Sequence, residues 1–275
     1  MLGHRRWLAG AGGGQVHRPG EPALYPVGRP RTGRKGDTME ICEGTVFFVD
    51  MRNFTLLCSR MVGNPDEDRV GPSGQTQYEE RLSFLVSEMT ELYATWRTII
   101  RVHVDAGHID RYLFQVLGDG VMIAVDGPRH AQVAFSAAQD MAAKVHQRLR
   151  EFSNPRIESL GIRRRADWLD FGIGICSGQF AYVKVPDGGQ EDGDRYTILG
   201  TAANYASRVE EANKDHFDTR ITIAQPTVDL LCADVGLDPT AYRAIEDHFG
   251  LRYLWKHRMQ GVKAIGLYIY PVTNS

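Results

Sequence analysis

The stretch FQVLGDGVMIAVD, residues 114–126, decides how the chain is read. Two apolar runs of strand-forming residues enclose Gly118-Asp119-Gly120, the composition of a tight β-hairpin. Asp119 therefore stands at a hairpin tip, and Gln115 lies four residues upstream on the first strand. An aspartate between glycines is ordinary turn chemistry. It is also what a carboxylate held out for a cation looks like. The hairpin alone leaves both readings open.

Upstream, TVFFVD (45–50) is a short, fully apolar strand ending on Asp50. Between it and the hairpin, residues 78–100 place Leu82, Leu85, Val86, Met89, Leu92, Tyr93 and Trp96 at three- and four-residue steps, which predicts an amphipathic helix. Downstream, residues 129–150 carry Val133, Ala137, Met141, Val145 and Leu149 on one stripe, a second helix. LDFGIGICSG (169–178) and FAYVKV (180–185) read as strands around a turn. RYTILG (195–200) reads as a strand, and TAANYASRVEEANK (201–214) as a helix. The remainder alternates strand, helix and strand. Short strands, hairpins and two long helices predict an α+β fold. The order β-α-β-β-α-β over 45–177 is that of a ferredoxin-like unit.

Composition narrows the function classes. Apolar residues make up 43% of the 275 and charged ones 24%, as in ordinary globular proteins. The net charge of −2 gives no electrostatic case for nucleic acid or a membrane surface as partner. That average hides a basic segment. Residues 1–38 hold seven Lys/Arg against two Asp/Glu, with nine Gly and four Pro. Such a composition does not bury enough apolar surface to offset chain entropy and predicts a disordered leader, which the cell need not translate, before a domain spanning 39–275. No run approaches the roughly 20 apolar residues of a membrane helix. Cys42, Cys58, Cys176 and Cys232 are scattered, without zinc or disulfide spacing. The chain reads as soluble and cytoplasmic.

In a ferredoxin-like sheet the first strand and the central hairpin are neighbours, which brings Asp50 and Asp119 to one edge. Taken singly, each is a cap or turn residue. As a pair they suit Mg²⁺ or Mn²⁺, ions that keep waters and take further oxygens from phosphates. Asn204 and Arg208 lie four apart, on one helix face, where they can clamp a phosphate or ribose. The plainer reading of that face is an exposed surface with Arg208 paired to Glu211.

Together these motifs carry a resemblance. VFFVDMRNFTLL, QVLGDGVMIAV, FGIGICSGQF and YTILGTAANYASRVEEANK occur in the order and spacing of class III nucleotidyl cyclases. The resemblance covers about 45–272. It implies a ferredoxin-like catalytic domain that forms a head-to-tail homodimer with composite active sites. It implies two Mn²⁺ or Mg²⁺ ions on Asp50, Asp119 and the Met51 carbonyl. It implies that Asn204 and Arg208 reach across the dimer interface as the catalytic pair for a nucleoside triphosphate. Backbone N–H groups around Arg52, Asn53 and Phe54, at a helix start, are suited to terminal phosphates.

The family reads the base chiefly at two positions, here Gln115 and Thr197 in place of the usual Lys or Glu and Asp. Gln offers a donor and an acceptor, and Thr a hydroxyl that does either. That neutral pair fits a pyrimidine edge, although Gln115 also reads as a plain polar strand residue. The domain is similar to the pyrimidine cyclases of bacterial Pycsar antiphage systems. That likeness implies UTP, less readily CTP, as substrate, and a cyclic nucleotide that activates a separate effector. An adenylate cyclase with a relaxed pocket and a non-catalytic cyclase-like module are the alternatives. The chain departs from the family at its phosphate-binding lysine, where Gln260 precedes the glycine and Lys256 or Lys263 remains as the substitute. Lys263 is the expected residue.

Overall fold

The structure, a computed structural model, describes residues 24–26, 39–62, 76–109, 111–159, 163, 168–185, 195–214, 219–257 and 264–271. Its strands are β1 (Leu24–Pro26), β2 (Met39–Arg52), β3 (Arg111–Leu117), β4 (Gly120–Asp126), β5 (Asp170–Val185), β6 (Arg195–Gly200), β7 (Thr219–Ala224), β8 (Arg252–His257) and β9 (Ile265–Pro271). Its α-helices are α1 (Phe54–Val62), α2 (Gln77–Ala106), α3 (His130–Arg148), α4 (Asn154–Ser159), α5 (Thr201–Asn213), α6 (Gln225–Val235) and α7 (Tyr242–Phe249). A π-helical turn, Leu149–Ser153, joins α3 to α4.

The strands form one sheet in the order β1-β3-β4-β2-β5-β7-β9-β8, with β6 pairing β5. Its centre, β3-β4-β2-β5, is antiparallel throughout. With α2 and α3 as the connecting helices this is the ferredoxin-like arrangement expected from the sequence. The α+β class is therefore observed. Of the basic leader, only Leu24–Pro26 lies among the described residues, paired to Leu113, Tyr112 and Arg111 of β3.

Strand alternation in β2 sorts side chains onto two faces. Phe47, Val49 and Met51 pack with Leu92, Trp96 and Ile100 of α2 and with Met141 and Val145 of α3. Val46 faces the other way, with Met122, Cys176 and Phe180, under Ala202, Ala206 and Val209 of α5. The small residues of α5 let it lie close against the sheet. At Gly174 a Cβ would collide with the Glu210 backbone N and the Ala206 carbonyl, so the helix rests on bare strand backbone there.

Two expectations are corrected. The turn between 178 and 180 does not exist: β5 is one strand of 16 residues. β2 pairs it without interruption from Met39 opposite Val183 to Arg52 opposite Asp170, and that ladder outweighs the Gly-rich composition. Gly178 keeps the strand continuous at φ +152°, a conformation that favours glycine. β8 was not anticipated, and it pairs β9 at the far edge of the sheet. Cys176 and Cys232 are buried, Cys42 and Cys58 are half-buried, and all four are free. No helix among the described residues is long and apolar enough to cross a membrane.

Candidate active site

The hairpin explains both of its glycines. Gly118 turns the chain at φ +70°, a region glycine enters without Cβ strain. Gly120 sits directly opposite Asp50 in the β2–β4 register. A Cβ there would lie 2.6 Å from the Val49 carbonyl oxygen and 3.2 Å from Asp50 Oδ1. Only glycine lets β4 pass beside the Asp50 carboxylate. Asp119 is thereby placed next to the residue that faces Asp50, and the two carboxylates share one end of the sheet.

Their electrostatics is that of a site short of positive charge. Burial and then the nearby Asp50 charge push the Asp119 carboxyl above the usual range, partly offset by a backbone hydrogen bond and by Lys214. Lys214, just past the end of α5, sets its Nζ 3.0 Å from Asp50 Oδ2 and 3.6 Å from Glu210 Oε2. An ammonium already stands where Asp50 meets positive charge. Two partly exposed carboxylates, one of them holding an ammonium from a flexible side chain, fit a hydrated divalent ion that completes its shell with phosphate oxygens. Met51, whose carbonyl was the third expected ligand, follows directly on β2 with its side chain buried in the core.

The hairpin tip is braced from α2. The Tyr93 hydroxyl donates a hydrogen bond to the Gly118 carbonyl, and its ring packs against Trp96. Burial, then Asp119, raises the Tyr93 pKa, so the hydroxyl stays a donor. Tyr93→Phe removes that bond alone. It is expected to leave folding intact and to lower turnover about fivefold through a looser Asp119, the effect of about 1 kcal/mol, read as kcat with unchanged far-UV circular dichroism.

At the other side of Asp50 lies a buried charged cluster. Glu210 is 5% exposed, and burial, ahead of its charged neighbours, lifts its carboxyl to about 7. Arg52 donates from Nη2 to the Asn213 carbonyl at 3.1 Å and to the Asn213 side-chain oxygen. Its Nη1 lies 3.9 Å from Asp170. The Arg52 side chain is thus engaged with Asn213 at the end of α5 and with Asp170 on β5. Asn53, at φ +64°, opens α1: its carbonyl accepts from Leu57 N at 2.7 Å, and its side chain donates to the Trp168 carbonyl at 2.9 Å. Phe54 begins the helix and is partly buried against the core.

Gln115 and Thr197 meet. They are 82 residues apart in sequence, and Thr197 Oγ1 donates to Gln115 Oε1 at 3.2 Å. Both are half-buried. Asn204 is exposed on α5, and Arg208 Nη1 pairs with Glu211 Oε2 at 2.7 Å, as the plainer sequence reading had it. Lys214, which reaches Asp50, is six and ten residues further along. At about 1.5 Å per residue, Arg208 and Asn204 sit roughly 9 and 15 Å back from it along the helix. Within one chain they stand apart from the carboxylate pair. Lys263 lies outside the described residues, and Lys256 is exposed on β8.

Lys214, Glu210 and Tyr93 were missed by the sequence reading. Glu210 had left a signal: with Ala203, Ala206 and Asn213 it occupies the buried stripe of α5, where a carboxylate is costly unless it has a task.

The sequence model described as "Adenylate and Guanylate cyclase catalytic domain" matches residues 38–246. No curated protein matches the chain. Several solved structures share the fold. The adenylyl cyclase CyaB from P. aeruginosa is 20% identical with a TM-score of 0.51, covering 84% of this chain and 94% of that one. The guanylate cyclase domain of RhGC from Catenaria anguillulae, solved in complex with GTP, is 18% identical with a TM-score of 0.51, covering 84% and 97%. A bacterial light-regulated adenylyl cyclase is 18% identical with a TM-score of 0.51, and this chain spans 53% of its length. The matched region spans more than two hundred of the 275 residues, and the chain belongs to the family of adenylate and guanylate cyclase catalytic domains.

Proposed function

We propose that the chain is a cytoplasmic pyrimidine nucleotide cyclase, converting UTP, and less readily CTP, to the 3′,5′-cyclic nucleotide and diphosphate. Two chains form a head-to-tail homodimer. Each active site takes Asp50, Asp119 and the Met51 carbonyl from one chain, and Gln115, Thr197, Asn204 and Arg208 from the other. Divalent ions held by the carboxylates, when bound, acidify the 3′-hydroxyl and neutralise the departing diphosphate. The 3′-oxygen attacks the α-phosphorus, the bond to the β-phosphate oxygen breaks, and the hydroxyl proton passes to water. Asn204 holds the ribose for in-line attack. Arg208 leaves Glu211 to neutralise the α-phosphoryl oxygens, an exchange an exposed ion pair permits at little cost. Backbone N–H groups at residues 52–54 seat the terminal phosphates, with Lys263 as their side-chain partner.

The observation that carries the base assignment is the Thr197 to Gln115 hydrogen bond. With its Oε1 occupied as acceptor, Gln115 turns its NH₂ group outward as a donor. Uracil presents a carbonyl acceptor at position 4, whereas cytosine presents an amino donor there. The pair therefore favours uracil over cytosine. An antiphage role, with the cyclic nucleotide as messenger to a separate effector, is supported by the resemblance to Pycsar cyclases. Gln115→Glu tests the reading by replacing the outward donor with an acceptor. The ratio of UTP to CTP turnover is expected to fall by about tenfold, the effect of one hydrogen bond to the base lost, about 1.4 kcal/mol. An unchanged ratio would place the base elsewhere.

A further inference from the structure

Among the described residues around Asp50, Lys214 and its neighbour Glu210 are left without a task by the cyclisation chemistry. The Lys214 Nζ stands 3.0 Å from Asp50 Oδ2 and 3.6 Å from Glu210 Oε2. The two carboxylates differ sharply. Asp50 is a third exposed on its side chain. Glu210 is buried, and its Oε1 has no hydrogen-bond partner among the described residues. Space for that oxygen exists only because residue 172 is glycine: a Cβ there would lie 2.8 Å from Glu210 Oε1 and 3.1 Å from Arg52 Nη2. A buried carboxylate with an unused oxygen is costly, and it sits within the sweep of a flexible lysine whose side chain is 48% exposed. Lys214 thus has two anionic stations, one solvent-facing and engaged, the other buried and incompletely satisfied.

We propose that Lys214 is a tethered counter-cation of the metal site: it holds Asp50 until a divalent ion arrives, competes with that ion, and then withdraws to Glu210. This rests on the reading of Asp50 as a metal carboxylate. An ammonium and a divalent ion on the same carboxylate oxygen repel at close range. Binding of the ion therefore includes displacement of Nζ from Asp50, and the two cations are linked by a coupling free energy. Glu210 is the acceptor that makes the displacement affordable, because it offers the ammonium an anionic partner less than one side-chain rotation away. Lys214 acts through Asp50 and touches no reacting atom, so it is a positioning residue. The device keeps the carboxylate pair neutralised at low divalent-ion concentration and sets the concentration at which the site fills.

The test is direct Mn²⁺ binding to the full chain without nucleotide, read by electron paramagnetic resonance of free Mn²⁺. Lys214→Gln is expected to tighten the Mn²⁺ Kd about five- to tenfold, and Lys214→Arg to leave it near wild type. Glu210→Gln removes the second station and is expected to weaken the Kd several-fold. The double variant should match Lys214→Gln, because Glu210 then has nothing to receive. Lys214 is half-exposed, so its variants are expected to fold, and they suffice even where Glu210→Gln does not. Unchanged or weaker Mn²⁺ binding in Lys214→Gln overturns the proposal. Asp50→Ala separates this from the parent reading. If Asp50→Ala binds Mn²⁺ as wild type does, the metal carboxylate itself is wrong. If it loses binding while Lys214→Gln is unchanged, only the counter-cation is wrong.

Discussion

Asp50→Ala and Asp119→Ala are each expected to lower cyclic-nucleotide formation about a thousandfold or more at saturating Mn²⁺, while the chain stays folded. The reason lies in the geometry at Gly120. A methyl group at Gly120 would lie 2.6 Å from the Val49 carbonyl oxygen and 3.2 Å from Asp50 Oδ1, so glycine alone lets β4 run close beside Asp50, and this places a second carboxylate beside the first. Burial and Asp50 hold the Asp119 carboxyl above its ordinary range, so the ionised pair is unfavourable until a cation joins it. Under the proposed chemistry, loss of either carboxylate would remove the cation that neutralises the departing diphosphate, the largest contribution available to a reaction without a protein nucleophile. Asp119→Asn should melt no lower than wild type without metal, because it relieves the repulsion. Chelation of divalent ions should abolish product formation in the wild type and leave the fold in place. Substantial turnover in either alanine variant would remove the carboxylate pair from the chemistry.

The second large effect concerns α5. Arg208→Ala is expected to lower turnover by about three orders of magnitude, the range seen when an arginine that neutralises a transferring phosphoryl group is lost. Yet Arg208 lies roughly 9 Å along the helix from Lys214, the residue that reaches Asp50 in the same chain. Under the proposed assignment, the two halves of the chemistry come from different chains. Arg208→Ala and Asp119→Ala, each inactive alone, should complement. Random mixing makes half the dimers mixed, each with one intact site of two, so about a quarter of wild-type activity should return on co-expression. No recovery from a demonstrably mixed dimer would place the whole site within one chain.

Much of this was legible because the decisive residues sit where local rules are strict. The hairpin was readable from Gly118-Asp119-Gly120, since few other sequences turn that tightly between apolar strands. Asp50 was readable as a carboxylate at the end of an apolar run, although the strand does not close there: β2 begins at Met39 and continues to Arg52. The helical stripes of α2 and α3 named about half of the core they build, and Leu82 and Val86 of the α2 stripe are exposed. Other features depend on partners distant in sequence. Gly178 looked like a turn because glycine usually is one, and only the long β2 ladder makes it a strand residue. Gln115 and Thr197 were each named, but their hydrogen bond, which fixes the direction of the amide, spans β3 and β6 across intervening strands. Lys214 looked like an ordinary helix-end lysine. Its contact with Asp50 arises because α5 lies on bare backbone at Gly174, close enough for the residue just past its end to reach the end of β2.

The most direct test is to incubate the purified protein with ATP, GTP, UTP and CTP at equal concentration with Mn²⁺ and to quantify the four cyclic nucleotides. Cyclic UMP is expected to dominate, with cyclic CMP second. Dominant cyclic AMP or cyclic GMP would contradict the base assignment at Gln115 and Thr197, and absence of all four products would contradict the enzyme itself.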